Sequence, residues 1–232
     1  MRLPLYQIDA FADRPFAGNP AAVLPLDAWL PEERMQAIAA ENNLSETVFF
    51  VPEGEGYRIR WFTPMTEVDL CGHATLAAAF VLFTELRPDL GEVRFVSASG
   101  PLAVERQGDR LVLDFPSRPP QPIPPVPGLA EALGAAILET HLSRDVVAVL
   151  GSEAEVRALE PDFSALTRID HFGFIATAKG NTCDFVSRFF VPKEGIPEDP
   201  VTGSAHSTLV PFWAGRLGKT VLHARQLSRR GG

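Results

Sequence analysis

Cysteine is nearly absent: the 232 residues hold two, Cys71 and Cys183. They lie far apart and fit no metal-ligand spacing, so the sequence offers neither a disulfide framework nor a zinc motif. A reduced, cytoplasmic protein is the simplest reading. No uninterrupted apolar run reaches membrane-spanning length. The first residues, MRLPLYQIDAFADRP, lack a long apolar segment and a small-residue cleavage site, which argues against a secretory signal. Positive charge is short too: 21 Lys and Arg stand against 29 Asp and Glu, for a net charge of −8. No basic block offsets it, which argues against nucleic acid or an acidic membrane surface as partner. Lysine is scarce relative to arginine, and Asn and Gln are few, as in a GC-rich or a heat-adapted source.

What the chain has in quantity is apolar. Hydrophobic residues make up 46% of it, enough for a sizeable core in one large domain or two small ones. LPLYQIDAFA alternates like a strand, and FADRPFAGNPAAVLPL is punctuated by Pro and Gly. Residues 31–43, PEERMQAIAAENN, open with Pro and two acids and read as a helix. TVFFV and YRIRWF read as strands. After Gly72, HATLAAAFVLFTEL predicts a helix of about four turns, apolar nearly all round and so buried on most sides. VRFVSAS, PLAVERQG and RLVLDFP read as a strand meander. Residues 116–128 carry seven prolines and read as a domain linker. Beyond them the pattern predicts helix EALGAAILE, strand DVVAVLG, helix EAEVRALEPDFSAL, strands HFGFIATA and CDFVSRFFVP, and a second buried helix from about Ser204 to Leu217.

Two stretches echo each other. RIRWFTPMTEVDLCGHATL and RFFVPKEGIPEDPVTGSAHSTL both run from Arg through aromatics and Pro to an acidic loop, an Asp, a Gly and an apolar run. The Asp residues are Asp69 and Asp199; the glycines are Gly72 and Gly203. A Gly opening a helix leaves backbone N–H groups and partial positive charge exposed to a ligand. Two such starts facing each other would hold a carboxylate or a developing enolate. The plainer alternative is that Gly and Asp only cap two core helices.

The candidate chemistry sits near these glycines. Cys71 reads either as a thiolate acid/base or as a small buried hydrophobe. His73, at a positive helix end, suits a neutral hydrogen-bonding role. Asp199 and Ser204 read either as ligand contacts or as turn and cap residues, and His206 as structural. Glu46, in NNLSETVFF, is either a desolvated general acid/base or an exposed strand-start glutamate.

DAFADRPFAGNPAAV, NNLSETVFF, RWFTPMTEVDLCGHATLAAA and EDPVTGSAHSTL resemble the signature stretches of the phenazine-biosynthesis isomerase (PhzF-like) family, over nearly the whole chain. The resemblance implies an α+β, diaminopimelate epimerase-like fold with two pseudo-symmetric domains, each a curved sheet wrapped around a central helix, and an active site in the cleft between them. The domains would be residues 1–115 and 129–232, with 116–128 as linker. It implies isomerisation of trans-2,3-dihydro-3-hydroxyanthranilate or a similar small carboxylate by proton movement, without metal or organic cofactor. Glu46 would be the general acid/base, and His73 and Asp199 would bind substrate and assist proton handling. Ser45, Gly72, His73, Gly203 and Ser204 would hold the carboxylate. A cytoplasmic homodimer in a biosynthetic process completes the picture.

Two departures qualify it. The epimerase relatives oppose two cysteines, whereas Asp199 stands where a partner for Cys71 would be. Family members usually continue past ARQLSRRGG with further strands, so the second domain reads as short, with a sheet edge that association could cover. An epimerase or racemase, and a non-catalytic carboxylate-binding protein that kept the fold, are the alternatives.

Overall fold

The computed structural model describes residues 2–232. The chain divides into two compact units, Met1–Phe115 and Pro116–Gly232.

The first unit contains β1 (Tyr6–Ala10), β2 (Asn19–Pro25), α1 (Glu32–Asn42), β3 (Glu46–Glu53), β4 (Gly56–Phe62), β5 (Glu67–Val68), α2 (Gly72–Val81), β6 (Glu92–Ser97), β7 (Gly100–Gln107) and β8 (Arg110–Leu113). Its sheet runs β1-β2-β3-β4-β6-β7-β8, with β5 beside β4. Two neighbouring pairs are parallel, β2 with β3 and β4 with β6. Parallel pairs need crossovers, and α1 and α2 supply them. The two helices cover opposite faces. Ala22, Leu24, Phe49 and Phe62 pack on α1, while Ala21, Val23, Val48, Phe50 and Trp61 pack on α2. This is why AAVL and TVFFV are continuously apolar rather than alternating. Helix α2 packs against β1, β2, β3 and also β8. Strands from the two ends of the sheet touch one helix, so the sheet curls around it. Ala74, Ala77, Ala78 and Ala79 are all fully buried, and their small side chains admit strands on every side. The predicted helix continues past Val81 as a π turn, Leu82–Leu86.

The second unit contains β9 (Gln121–Pro122), α3 (Leu129–Leu133), β10 (Glu139–Leu142), β11 (Val146–Val149), α4 (Glu153–Arg157), α5 (Phe163–Arg168), β12 (Phe174–Lys179), β13 (Phe185–Val191), β14 (Ile196–Asp199), α6 (His206–Leu217) and β15 (Ala224–Gln226). The sheet runs β14-β13-β12-β11-β10-β9, with β15 beside β13. Again two pairs are parallel, β11 with β12 and β13 with β15. Short helices cover one face, and α6 covers the other through Leu209, Phe212 and Trp213.

Three expectations are corrected here. Residues 116–128 are not a free linker: β9 pairs with β10, and the Arg118 amide donates to the Ser207 carbonyl. EALGAAILE is helical only to Leu133, because Gly134 takes a left-handed φ of 69° and ends it. EAEVRALEPDFSAL is two helices: α4 ends at Arg157, and the Asp162 carboxylate caps α5 by accepting from the Ala165 amide.

The topologies coincide. β1-β2-α1-β3-β4-β5-α2-β6 has the same order and pairing as β10-β11-(α4, α5)-β12-β13-β14-α6-β15. Register sharpens the sequence echo and shifts it by one. Arg60 and Arg188 are equivalent, and each forks onto a glutamate, Glu67 and Glu198. Trp61 lies opposite Val68, and Phe189 opposite Asp199. The counterpart of Asp199 is therefore Val68, not Asp69. Asp69 is exposed and accepts a bond from the Ser99 hydroxyl.

Candidate active site

In the first unit, four side chains converge at the start of α2. Gly72 opens this helix close to the Phe115 ring: a Cβ there would lie 2.5 Å from Phe115 Cζ, so the ring would have to shift. His73 follows, its side chain 4% exposed. Burial pulls its pKa down to about 3, so the ring is neutral at ordinary pH. Its Nδ1 lies 3.3 Å from the Asn19 amide nitrogen and 3.4 Å from Cys71 Sγ. The amide nitrogen can only donate, which makes Nδ1 the acceptor and places the ring proton on Nε2. Nε2 stands 3.3 Å from Glu46 Oε2. With the ring neutral this contact is not an ion pair, and its geometry is not that of a hydrogen bond. Glu46 is the first residue of β3, its side chain 15% exposed. The exposed strand-start alternative is thus ruled out. Ser45 is half-buried just before it.

Asn19 carries no role in the sequence reading, although it stands inside DAFADRPFAGNPAAV. It is fully buried at the start of β2 and orients His73. The loop before it is tight. Phe11 and Phe16 both have positive φ, and a Cβ on Gly18 would lie 2.1 Å from the Ala10 carbonyl oxygen. Its only sequence signal is the Gly-Asn-Pro run.

In the second unit, Asp199 closes β14 and is 8% exposed. Its carboxylate accepts the Thr202 hydroxyl at 2.5 Å. The Gln226 side chain clamps the turn, accepting the Thr202 amide at 2.8 Å and donating to the Asp199 carbonyl at 2.7 Å. Gly203 and Ser204 lie in the turn before α6, whose helical bonding starts at His206. The Ser204 hydroxyl accepts Arg144 Nη2 at 3.3 Å, and the same nitrogen donates to Asp145 Oδ2 at 3.0 Å. Burial raises the Asp145 pKa against the pull of Arg144. Neither residue was singled out from sequence, because nothing in LSRDVVAV marks an acid 1% exposed. His206 is half-buried: its Nδ1 lies 2.9 Å from the Thr202 carbonyl and its ring 5.8 Å from that of Phe185. That agrees with a structural reading.

The sequence pattern of the family described as "Phenazine biosynthesis-like protein" matches residues 8–231. The chain belongs to the PhzF family. It is 54% identical over 232 residues to an uncharacterised isomerase of Pseudomonas aeruginosa, with 100% of this chain and 90% of that protein covered. The crystal structure of a PhzF-family protein from Enterococcus faecalis superposes with a TM-score of 0.96 at 54% identity, covering 100% of this chain and 90% of that one. A predicted epimerase from Pseudomonas aeruginosa superposes at 0.72 with 21% identity, over 100% and 85% of the chains, and shares the fold. This PhzF-family chain is an isomerase with the diaminopimelate epimerase-like architecture. Among the described residues, no helix is long and apolar enough to cross a membrane.

Proposed function

We propose that this isomerase moves a proton on a small carboxylate substrate of the dihydro-hydroxyanthranilate type, with Glu46 as general acid/base. The observation that carries the reading is the Glu46 carboxylate held 3.3 Å from Nε2 of a histidine that burial keeps neutral. A neutral imidazole places no positive charge beside the carboxylate, which suits a group that must both take and return a proton. Glu46 removes a proton from one substrate carbon and returns it to another carbon of the conjugated system. Charge that develops meanwhile is met by the N–H groups at the start of α2. Ser45, Gly72 and His73 are assigned to the substrate carboxylate. From the second unit, Asp199 is assigned to substrate binding and proton handling, and Gly203 and Ser204 to the carboxylate. The step calls on no metal or organic cofactor. A cytoplasmic homodimer belongs to the same reading, and sedimentation tests the oligomer.

The experiment is incubation with trans-2,3-dihydro-3-hydroxyanthranilate in D₂O, followed by NMR, for wild type and Glu46→Gln. Conversion with deuterium uptake in the wild type, lost in the variant, is expected. An unchanged ligand in both removes this substrate. One observation favours a second reading: Cys71 Sγ lies 3.4 Å from His73 Nδ1, a thiol–imidazole contact. Exchange lost in Cys71→Ser but kept in Glu46→Gln would move the chemistry to the thiol.

A further inference from the structure

Three donors of different chemistry meet at the start of α2. Glu46, Cys71 and His73 each offer one ligand atom, and these atoms all lie within 4.8 Å of one another. They are separated by 25 and 2 positions in sequence, so no linear spacing announces them; β3 and α2 bring them together. Cys71 and His73 are buried and Glu46 is half-buried. A tetrahedral ion with bonds of about 2.0–2.3 Å sets neighbouring donors roughly 3.3–3.6 Å apart. Two edges already have that length, His73 Nε2 to Glu46 Oε2 at 3.3 Å and His73 Nδ1 to Cys71 Sγ at 3.4 Å. They lie at opposite nitrogens of one ring, so an ion can use only one of them unaltered.

The Nε2 edge is the better one. With Nε2 on an ion, the ring proton moves to Nδ1, where the Asn19 amide is already 3.3 Å away. That amide turns over and accepts through its oxygen, as an outer partner of a ligating histidine does. The Cys71 sulfur lies within 4.8 Å of the donor atoms of the other two residues, and the remaining approach to bonding distance is what ion uptake would have to supply.

We propose that Glu46, Cys71 and His73 take up one thiophilic divalent cation of the Zn²⁺ type, and that its uptake switches the isomerase off. The sulfur, nitrogen and oxygen donors suit Zn²⁺ and Co²⁺ and disfavour Mg²⁺ and Ca²⁺, which bind through oxygen. Uptake exchanges the thiol proton for the metal: Cys71–SH and M²⁺ give Cys71–S–M⁺ and H⁺, which leaves to solvent with no change of oxidation state. The inhibitory half rests on the proposed role of Glu46, because a carboxylate ligating a metal cannot accept a substrate proton. The binding half stands apart from it.

Co²⁺ is the probe, titrated into the reduced full chain while thiolate-to-cobalt charge-transfer and ligand-field absorption are followed. One ion per chain with a charge-transfer band is expected, displaced by Zn²⁺ and unaffected by excess Mg²⁺. Cys183→Ser keeps the band in full. Cys71→Ser loses it and weakens binding by more than the roughly 10–100-fold that an outer-shell partner is worth. Absence of the band from wild type, its loss in Cys183→Ser, or its survival in Cys71→Ser overturns the proposal. Cys183 lies outside the cluster, so its variant decides the question even where Cys71→Ser does not fold. With binding established, saturating Zn²⁺ stops deuterium exchange and a chelator restores it; exchange that continues overturns the inhibitory half. A cobalt signature without any exchange on the substrate fails the Glu46 reading and leaves the metal site intact.

Discussion

The two units contain the same bracket in different surroundings. Arg60 donates two bonds to Glu67, at 2.7 and 2.6 Å, and lies over the Phe62 ring at 5.2 Å. Arg188 donates two bonds to Glu198, at 2.6 and 2.8 Å, and lies over Phe190 at 5.1 Å. In both, the bracket ties a sheet strand to the short segment that leads into the main helix. The first is open, with side-chain exposures of 25% and 34%; the second is covered, at 11% and 18%. Arg188 also donates to the Leu159 carbonyl at 2.7 Å, so its removal strands more than one acceptor. Identical geometry is therefore worth different amounts, because water screens one pair and is excluded from the other.

The largest effect tests that difference directly. Arg188→Ala is expected to lower stability by about 3–5 kcal/mol, the cost of leaving one partner of a buried pair uncompensated. Arg60→Ala is expected to lower it by about 1 kcal/mol or less from its ion pairs. Urea denaturation at constant slope measures both, and equal losses would break the comparison. Next comes pH. The folded pKa of His73 lies at about 3, below the ordinary 6.5. Its contribution to stability is fully present above pH 6.5 and is lost as pH falls toward 3, at up to about 1.4 kcal/mol per pH unit. Burial lowers the pKa of His206 as well, with the same sign. His73→Asn should flatten the acid limb of a stability–pH curve; an unchanged slope would mean that His73 is not the neutral group described. The smaller effects separate the two main helices. Gly72→Ala pushes a Cβ against Phe115 and should destabilise by about 1–3 kcal/mol. Gly215→Ala, inside α6 with nothing within 4 Å, should stabilise by about 0.5–1 kcal/mol. Thermal melts decide both, and the reverse signs would mean that the helix environments are misassigned.

The same register explains why the chemistry is not duplicated along with the fold. Thr47 lies opposite Phe62, and Phe174 opposite Phe190, so the counterpart of Glu46 is Gly173. A Cβ there would meet Asp145 Oδ1 at 2.9 Å. The acid in the second unit thus comes from the bend just before the neighbouring strand β11, not from the equivalent position. Likewise Asp199 stands where the first unit has Val68. Each half keeps the scaffold and supplies a different titratable group.

Much of the scaffold was legible in the chain itself. TVFFV and YRIRWF marked β3 and β4 as strands, and the apolar, alanine-rich run marked α2 as a helix buried on most sides, because those patterns follow from local periodicity alone; β2 was hidden in a stretch that read only as punctuated by Pro and Gly. The recurring Arg-aromatic-Pro and Gly motifs identified the duplication and the family. What only the tertiary structure decided is pairing across distance. Strand register moved the Asp echo by one residue, because Asp199 and Val68 share a place in the sheet and Asp69 does not. The packing of 116–128 against β10 depends on partners far along the chain, which proline content does not reveal. Asn19, Arg144 and Asp145 join their sites only through neighbours 54, 60 and 28 positions away, His73, Ser204 and Gly173. A side chain's chemistry is written in the sequence, but its water exposure and its neighbours are set by the fold, and those determine its protonation and its role.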